Sequence, residues 1–336
     1  MNQLKYILRI LSGASFKKFF SVIGRAHEKS GKNRVFLFFD MLYCALRYGA
    51  GYHDYLIFGF YDMNAAQRKT YVTRVINKRL ISILNDEASS YIFDEKNVFN
   101  KRFQKYLNRE FIDLGETDFA RFAAFMQDKD VVFAKPNIGE SGKGIEKLTK
   151  ADYASLEEMY AYIQSKNFGV LEQLIVQHPD LNRLYPLAIN SYRIVTIVCD
   201  GVAHCVYAVS KMGNEGKFVD NMENSGLCCP IDIQTGKIAG CAHTSKLINY
   251  DVHPYTGIKL EGYQLPFVKE AIDLCCRAAL EVKEIRYVGW DVCIMENGPA
   301  IIEGNDYPGY DFWQLPEHTP DKIGLLPFYK KLVPEL

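Results

Sequence analysis

The chain has 336 residues, 48% of them apolar and 24% charged, the make-up of an ordinary folded protein long enough for more than one compact unit. Lysine plus arginine equals aspartate plus glutamate at 40 each, which removes any global electrostatic case for a nucleic-acid partner. Nine cysteines with no C-x-x-C pair exclude a zinc-ribbon pattern and a disulfide framework, and free thiols suit a reducing cytoplasm.

Charge is uneven at the start. Residues 1–34 hold Lys5, Arg9, Lys17, Lys18, Arg25, Lys29, Lys32 and Arg34 against the single acid Glu28. Apolar residues in 4–11 recur at three- and four-residue steps with bases between them, 16–23 repeat the mixture, and residues 1–85 read as a helical N-terminal region. A basic amphipathic helix can touch an anionic membrane surface, here the inner face of the membrane, or pack on the body with its lysines in water. Interruptions at Gly13 and Gly24 favour packing. Lys5 and Arg9 break the apolar stretch a signal peptide needs. The longest apolar run, 35–48, is broken by Asp40 and Arg47 and falls short of the roughly 20 residues that cross a bilayer, so a buried helix is expected. The aromatic-rich stretch 52–61 is expected in the core.

From about residue 86 the texture changes. Asp94-Glu95-Lys96 opens a helical segment through Leu107, with Asp94 a candidate N-cap. Val131 to Lys135 reads as a strand stopped by Pro136, and a glycine-rich loop follows. Residues 151–165 read as a helix and 169–176 as an apolar strand ending at His178-Pro179. Strands are expected at 191–199, 202–210 and 217–221, with Asp200-Gly201 a hairpin turn between the first two. A helix over 266–283 and strands over 286–295 and 299–304 complete the pattern.

The chemistry concentrates in the last two strands. Glu303 and Asn305 are two apart and share a strand face. A two-residue Asn297-Gly298 turn would pair Asp291 with Gly304. A three-residue loop over 296–298, with Gly298 in the left-handed position, pairs Asp291 with Glu303. We expect the second register, in which two carboxylates and one amide oxygen meet as magnesium prefers. Lys135-Pro-Asn-Ile-Gly139-Glu-Ser141-Gly142-Lys143-Gly144 adds a lysine at a strand end and a loop whose backbone N–H groups can cradle phosphate. It is not a Walker A loop, since Asn137 stands at the first glycine and Gly144 replaces the hydroxyl. Leu171-Glu172-Gln-Leu174-Ile175 is an extended apolar segment that could read an adenine edge with its main chain.

The order and spacing of these features resembles the ATP-grasp superfamily, and most of all its sugar-transfer-associated branch. The residues behind the resemblance are Asp94-Glu95-Lys96, Phe133-Ala-Lys135-Pro with Gly139 to Gly144, Glu172-Gln-Leu-Ile175, Asn190-Ser-Tyr-Arg193-Ile-Val-Thr196, Phe218-Val-Asp-Asn221, and Gly289-Trp-Asp291 with Ile302-Glu303-Gly-Asn305. The likeness spans about residues 86–315. It implies an α+β ATP-grasp fold, two α+β subdomains clasping ATP, here over 86–175 with the phosphate-binding loop and 176–336 with the metal site.

By the resemblance Lys96 and Lys135 bind the nucleotide phosphates, with Lys101 the alternative to Lys96. Ser141, Gly142 and Gly144 form a mobile loop over the phosphates, and Glu172, Leu174 and Ile175 contact adenine. Lys211 touches the γ-phosphate, and Asp291, Glu303 and Asn305 hold magnesium. Many ligases of this superfamily carry an arginine two residues before the first metal-binding aspartate. Gly289 stands there, and the expectation is that Arg193 takes its place; the ribose acid is open between His178 and Asp180.

The implied activity is an ATP-dependent carboxylate–amine ligase working through an acyl phosphate on a small-molecule or sugar acceptor in cell-surface polysaccharide assembly. A phosphotransferase or a non-catalytic nucleotide-binding scaffold on the same fold are the alternatives. Asn221, Asn224, Tyr307 and Tyr310 are candidate acceptor-lining groups. Oligomeric state is not legible.

Overall fold

The computed structural model describes residues 16–139 and 143–336. The amphipathic stretch 4–11 and the loop residues Ser141 and Gly142 lie outside the described residues. The described chain divides into two units, one of residues up to Ile83 with Gly309–Leu336, the other Leu84–Pro308.

The first unit is helical, with Phe16–Ser30, Arg34–Tyr48, Tyr52–Ile57, Ala65–Arg68, Arg74–Leu84 and Leu326–Leu332. Phe16–Ser30 runs through Gly24 without a break, because a single helical glycine costs only about 1 kcal/mol and buried Phe19, Val22, Ile23 and Ala26 offset it by packing. Asn33 caps Arg34–Tyr48 by accepting from the Val35 N–H, and Gly49, at φ 64°, ends it. The expectation of a buried helix over 35–48 needs correction. Leu37, Met41, Cys44 and Tyr48 face inward, while Val35, Phe36, Phe39, Tyr43 and Leu46 are exposed. Asp40 accepts two hydrogen bonds of 2.7 Å from the Arg68 guanidinium and one of 2.7 Å from the Tyr55 hydroxyl. Tyr55, Phe58 and Phe60 are buried, as their aromatic run predicts. Gln314 ties the C-terminal segment to this unit by bonding both backbone groups of Val72.

The second unit holds two antiparallel sheets. The smaller one, ordered β1-β4-β2-β3, comprises β1 (Phe111–Asp113), β2 (Val131–Lys135), β3 (Glu146–Thr149) and β4 (Val170–Gln173). The larger comprises β5 (Ser191–Cys199), β6 (Val202–Met212), β7 (Leu227–Asp232), β8 (Lys237–Ile238), β9 (Ala242–His243), β10 (Asn249–Tyr250), β11 (Tyr287–Met295) and β12 (Gly298–Asn305). Its path is β10-β9-β7-β6-β5-β11-β12, with β8 beside β7. Asp200 and Gly201 both have positive φ, 50° and 74°, the tight hairpin that their sequence predicts.

Two local expectations change. Residues 217–221 are not a strand: β6 already pairs with β7 on that side, and Asp220 is anchored instead through its side chain to Ser191. Asp94 ends the short helix Tyr91–Asp94, and Glu95 is the residue before helix Lys96–Arg102.

Alternation on the large sheet places its core. Tyr192, Ile194, Ala208, Trp290, Val292, Ile294 and Ile301 belong to one buried cluster with Val268, Ala271, Leu274, Cys275 and Ala278 of helix Val268–Ala278. Phe93 and Phe103 pack their rings on Trp290. With that face committed, the other face of β5, β6, β11 and β12 is the one left for chemistry. Among the described residues no helix is long and apolar enough to cross a membrane.

Candidate nucleotide and metal site

β11 lies between β5 and β12, and its register sets the site. Asp291 pairs with Arg193 on one side and Glu303 on the other, and Gly289 pairs with Asn305. Strand alternation then puts Asp291, Glu303, Asn305 and Arg193 on one face, opposite the Trp290 and Val292 core. The expected pairing of Asp291 with Glu303 is present, but by a different route. Met295 pairs with Gly298, so the turn is the two-residue Glu296-Asn297, and Val292 pairs with Ile301. A β-bulge at Ile302 supplies the missing residue. Without it Trp290 would oppose Glu303, and a carboxylate would enter the core. Bulges re-aim side chains in this way beside functional sites.

Arg193 grips Asp291 through two nitrogens, with Nη2 donating at 2.9 Å. Lys211 Nζ donates to Asp291 Oδ2 at 3.0 Å and stands 3.7 Å from Asp220. Burial alone would push the Asp291 carboxyl up, but the Arg193 and Lys211 charges outweigh it and hold it well below the usual carboxylate range. Glu303 goes the other way, raised first by loss of bulk water and then by the Asp291 charge. Its side chain is exposed. Lys135 also acts on Glu303 through its charge, so the strand end of the small sheet contributes to the same field.

These donors fit a hard divalent cation. Two carboxylates share one face, Asp291 held by Arg193 and Lys211 and Glu303 raised in part by the Asp291 charge. A carboxylate has about four acceptor positions, and Arg193 and Lys211 fill three on Asp291. The Asn305 amide oxygen accepts from the Tyr307 N–H at 2.8 Å and keeps a second lone pair. All-oxygen donors of this kind suit magnesium.

The vacancy at Gly289 has an occupant. A Cβ added there would lie 3.3 Å from Arg193 Cδ and 3.6 Å from its Nη1. The Arg193 side chain therefore covers the ground from which an arginine at 289 would have started.

On the small sheet, Lys135 ends β2 and donates to Glu172 Oε2 at 2.7 Å. Glu172 is buried, and its other contacts are Arg109 Nε at 2.9 Å and Asn100 Nδ2 at 3.0 Å. Its backbone lies in the ladder between β1 and β2. Glu172 is thus placed to hold Lys135, while Leu174 and Ile175 stand outside both ladders, Leu174 being 39% exposed. Burial would raise the Glu172 carboxyl, but Arg109 and Lys135 carry it well below its ordinary range.

Lys96 Nζ donates to the Gly139 carbonyl at 2.7 Å, beside the glycine-rich loop. Lys101 pairs instead with Asp113 at 2.6 Å and Glu116 at 2.7 Å, away from that loop carbonyl. Gly144 has φ 74°, and a Cβ there would lie 2.8 Å from Pro136 Cγ, so this loop position requires glycine. His178 caps helix Pro179–Leu184 by accepting from the Asp180 N–H.

Arg109 escaped the sequence reading. Its guanidinium also donates to the Ile301 carbonyl at 2.5 Å and the Ile302 carbonyl at 3.3 Å, linking Glu172 of the small sheet to the bulge of the large one. Asp220, bound to Ser191 and facing Lys211, was likewise missed as a partner. Nothing local marks either residue, because their partners lie on other strands.

Among curated proteins no sequence matches the chain. Solved structures similar to it include the ATP-grasp ligase PsnB complexed with minimal precursor, 13% identical, covering 81% of this chain and 72% of that one with a TM-score of 0.43. D-alanyl-alanine synthetase A from Vibrio cholerae O1 biovar eltor is 14% identical over 75% of this chain and 67% of its own, with a TM-score of 0.44. D-alanine–D-alanine ligase from Bacillus anthracis is 16% identical over 77% and 74%, with a TM-score of 0.41. The family described as sugar-transfer associated ATP-grasp matches residues 75–323. With that match over most of its length, the chain belongs to the sugar-transfer associated ATP-grasp family, and its fold is the α+β ATP-grasp fold.

Proposed function

We propose that the chain is an ATP-dependent, ADP-forming carboxylate–amine ligase that modifies a sugar or amino-acid acceptor in cell-surface polysaccharide assembly. The observation that carries this reading is the shared face of Asp291, Glu303 and Asn305, flanked by Arg193 and Lys211. In the reaction an acceptor carboxylate oxygen attacks the γ-phosphorus of ATP, and the bond from that phosphorus to the β,γ-bridging oxygen breaks to release ADP. An amine nitrogen then attacks the acyl carbon, phosphate leaves with the C–O electron pair, and the nitrogen gives up a proton.

Two anions must meet in the first step. Arg193 orients the acceptor carboxylate from its place over Gly289. Lys211 faces the γ-phosphate, while Lys96 and Lys135 hold the remaining phosphates. Gly144 lets the loop backbone approach them, together with Ser141 and Gly142. Leu174 and Ile175 offer an apolar edge to the base. Magnesium held by Asp291, Glu303 and Asn305 supplies charge neutralisation at the phosphates. Well-placed donors of this kind contribute roughly 3–4 kcal/mol each to lowering the barrier.

The test is product analysis with a panel of uronic acids and amines, comparing the parent with Asp291→Asn. An amide with ADP and phosphate, lost in Asp291→Asn, supports the reading. A phosphorylated acceptor with ADP would make the chain a phosphotransferase. Tight ATP binding with no turnover across the panel would favour a scaffold.

A further inference from the structure

Helix Arg34–Tyr48 has two apolar faces. One is filled by Leu37, Met41, Cys44 and Tyr48 packing inward. The other carries Val35, Phe36, Phe39, Tyr43 and Leu46, between 47% and 65% exposed. At 3.6 residues per turn these five fall within an arc of about 100°. The neighbouring helix Phe16–Ser30 adds Phe20, 59% exposed. Edge-to-face contacts run from Phe20 through the buried Phe19 and the half-buried Phe38 to Phe39, so the exposed rings at the two ends are joined by packed aromatics beneath. A surface helix of a globular unit normally turns a polar face to water, and exposed apolar area of several hundred Å² marks an interaction site.

The charges around this surface indicate the partner. From Phe16 to Tyr48 the bases are Lys17, Lys18, Arg25, Lys29, Lys32, Arg34 and Arg47, and the acids are Glu28 and Asp40. Asp40 is neutralised within the unit by Arg68. Arg34 opens the helix and Arg47 closes it, so bases bracket the aromatic stripe at both ends. Phenylalanine and tyrosine with flanking bases is the composition of a helix lying flat at a lipid interface, its apolar face at the acyl boundary and its bases at anionic headgroups. Fifteen residues are too few to span a bilayer of about 30 Å, so the helix lies in the plane.

We propose that the outer face of Arg34–Tyr48, with Phe20 and the surrounding bases, docks on an anionic lipid bilayer. This stands apart from the catalytic reading, since it uses none of the nucleotide or metal residues. The experiment is flotation of the full chain with vesicles of phosphatidylcholine alone or mixed with phosphatidylglycerol, at low and high salt. The expected result is binding to the mixed vesicles that weakens with salt. Phe36→Ser with Phe39→Ser lowers the partition coefficient at least tenfold with the melting temperature unchanged, both rings being exposed. Arg34→Gln and Arg47→Gln each lower it about fivefold. No vesicle binding, or binding that ignores both pairs of changes, would overturn the proposal. So would self-association in sedimentation velocity that the serine variant abolishes, because the occupant would then be a second copy of the chain.

Discussion

Arg109→Ala tests whether the two sheets of the second unit are functionally joined through one side chain. The Arg109 side chain is 1% exposed and pairs with Glu172 at 2.9 Å, and its Nη1 donates to the Ile301 carbonyl at 2.5 Å. Removing one partner of a buried ion pair costs about 3–5 kcal/mol. Stranding the Ile301 carbonyl costs about 1–3 kcal/mol. The two losses share one guanidinium and do not add, which leaves about 4 kcal/mol as the working figure. At roughly 2–4 °C per kcal/mol for a unit of this size, the melting temperature should fall on the order of 10 °C. The second effect is local. The bulge at Ile302 loses the donor that holds it, Glu303 and Asp291 lose their common face, and magnesium-dependent nucleotide binding falls too. The assay is calorimetric melting with titration of nucleotide and magnesium. The control is Arg109→Met with Glu172→Leu, since an apolar pair can replace a buried ion pair without loss of stability. It should recover the melting temperature but not the nucleotide affinity, because Lys135 has lost its anchor. Arg109→Ala melting within about 2 °C of the parent with unchanged nucleotide affinity would refute the reasoning, as would recovery of both properties in the apolar pair.

Three further outcomes follow from the same geometry. Deleting Ile302 removes the bulge but leaves Glu303 opposite Asp291 in a regular ladder, so calorimetric titration should find magnesium-dependent nucleotide binding retained; its loss would show that the shared face alone does not make the site. Gly144→Ala strains a backbone at φ 74° and drives a Cβ to 2.8 Å from Pro136 Cγ; a strain of about 1–3 kcal/mol in the folded chain should lower the calorimetric melting temperature by about 2–12 °C. The Glu172 carboxyl is lowered on folding, first against burial and then by Arg109 and Lys135. Its stabilisation is therefore complete above the unfolded value of about 4.3 and is lost as the pH falls below it. Urea unfolding should show the parent's advantage over Glu172→Gln constant from pH 7 to about 5 and shrinking below that; an advantage that grows with acid would contradict the pairing.

Much of the fold was legible because the large sheet writes its own pattern. β5 is predicted to the residue and β11 to within one, since alternation, β-branched content and a tight Asp-Gly turn all act between near neighbours in the chain. Short strands such as Phe111–Asp113 and Ala242–His243 were not legible, because two or three residues cannot establish a period. Helix Arg34–Tyr48 misled for a different reason. Apolar content shows that a helix has a face to bury, but a helix with two apolar faces looks the same as one that is buried all round.

The site divides along the same line. Asp291, Glu303 and Asn305 could be brought together from spacing because they sit on consecutive strands joined by a hairpin. Even there the right pairing was reached through the wrong turn: a three-residue loop and a two-residue loop with a bulge give Asp291 the same partner. What separates them is the Arg109 guanidinium on the Ile301 and Ile302 carbonyls, a contact across 192 residues that no local rule contains. The partners of Glu172 were not legible for the same cause. On its strand it could be a core residue or a base-reading one, and only the convergence of Arg109, Lys135 and Asn100 makes it an anchor. A buried carboxylate must be paired to stay charged. So a glutamate in an apolar strand with no local base implies cations arriving from elsewhere in the fold. At Glu172 those cations are Lys135, from the end of β2, and Arg109, which holds the bulge that turns Glu303 toward Asp291.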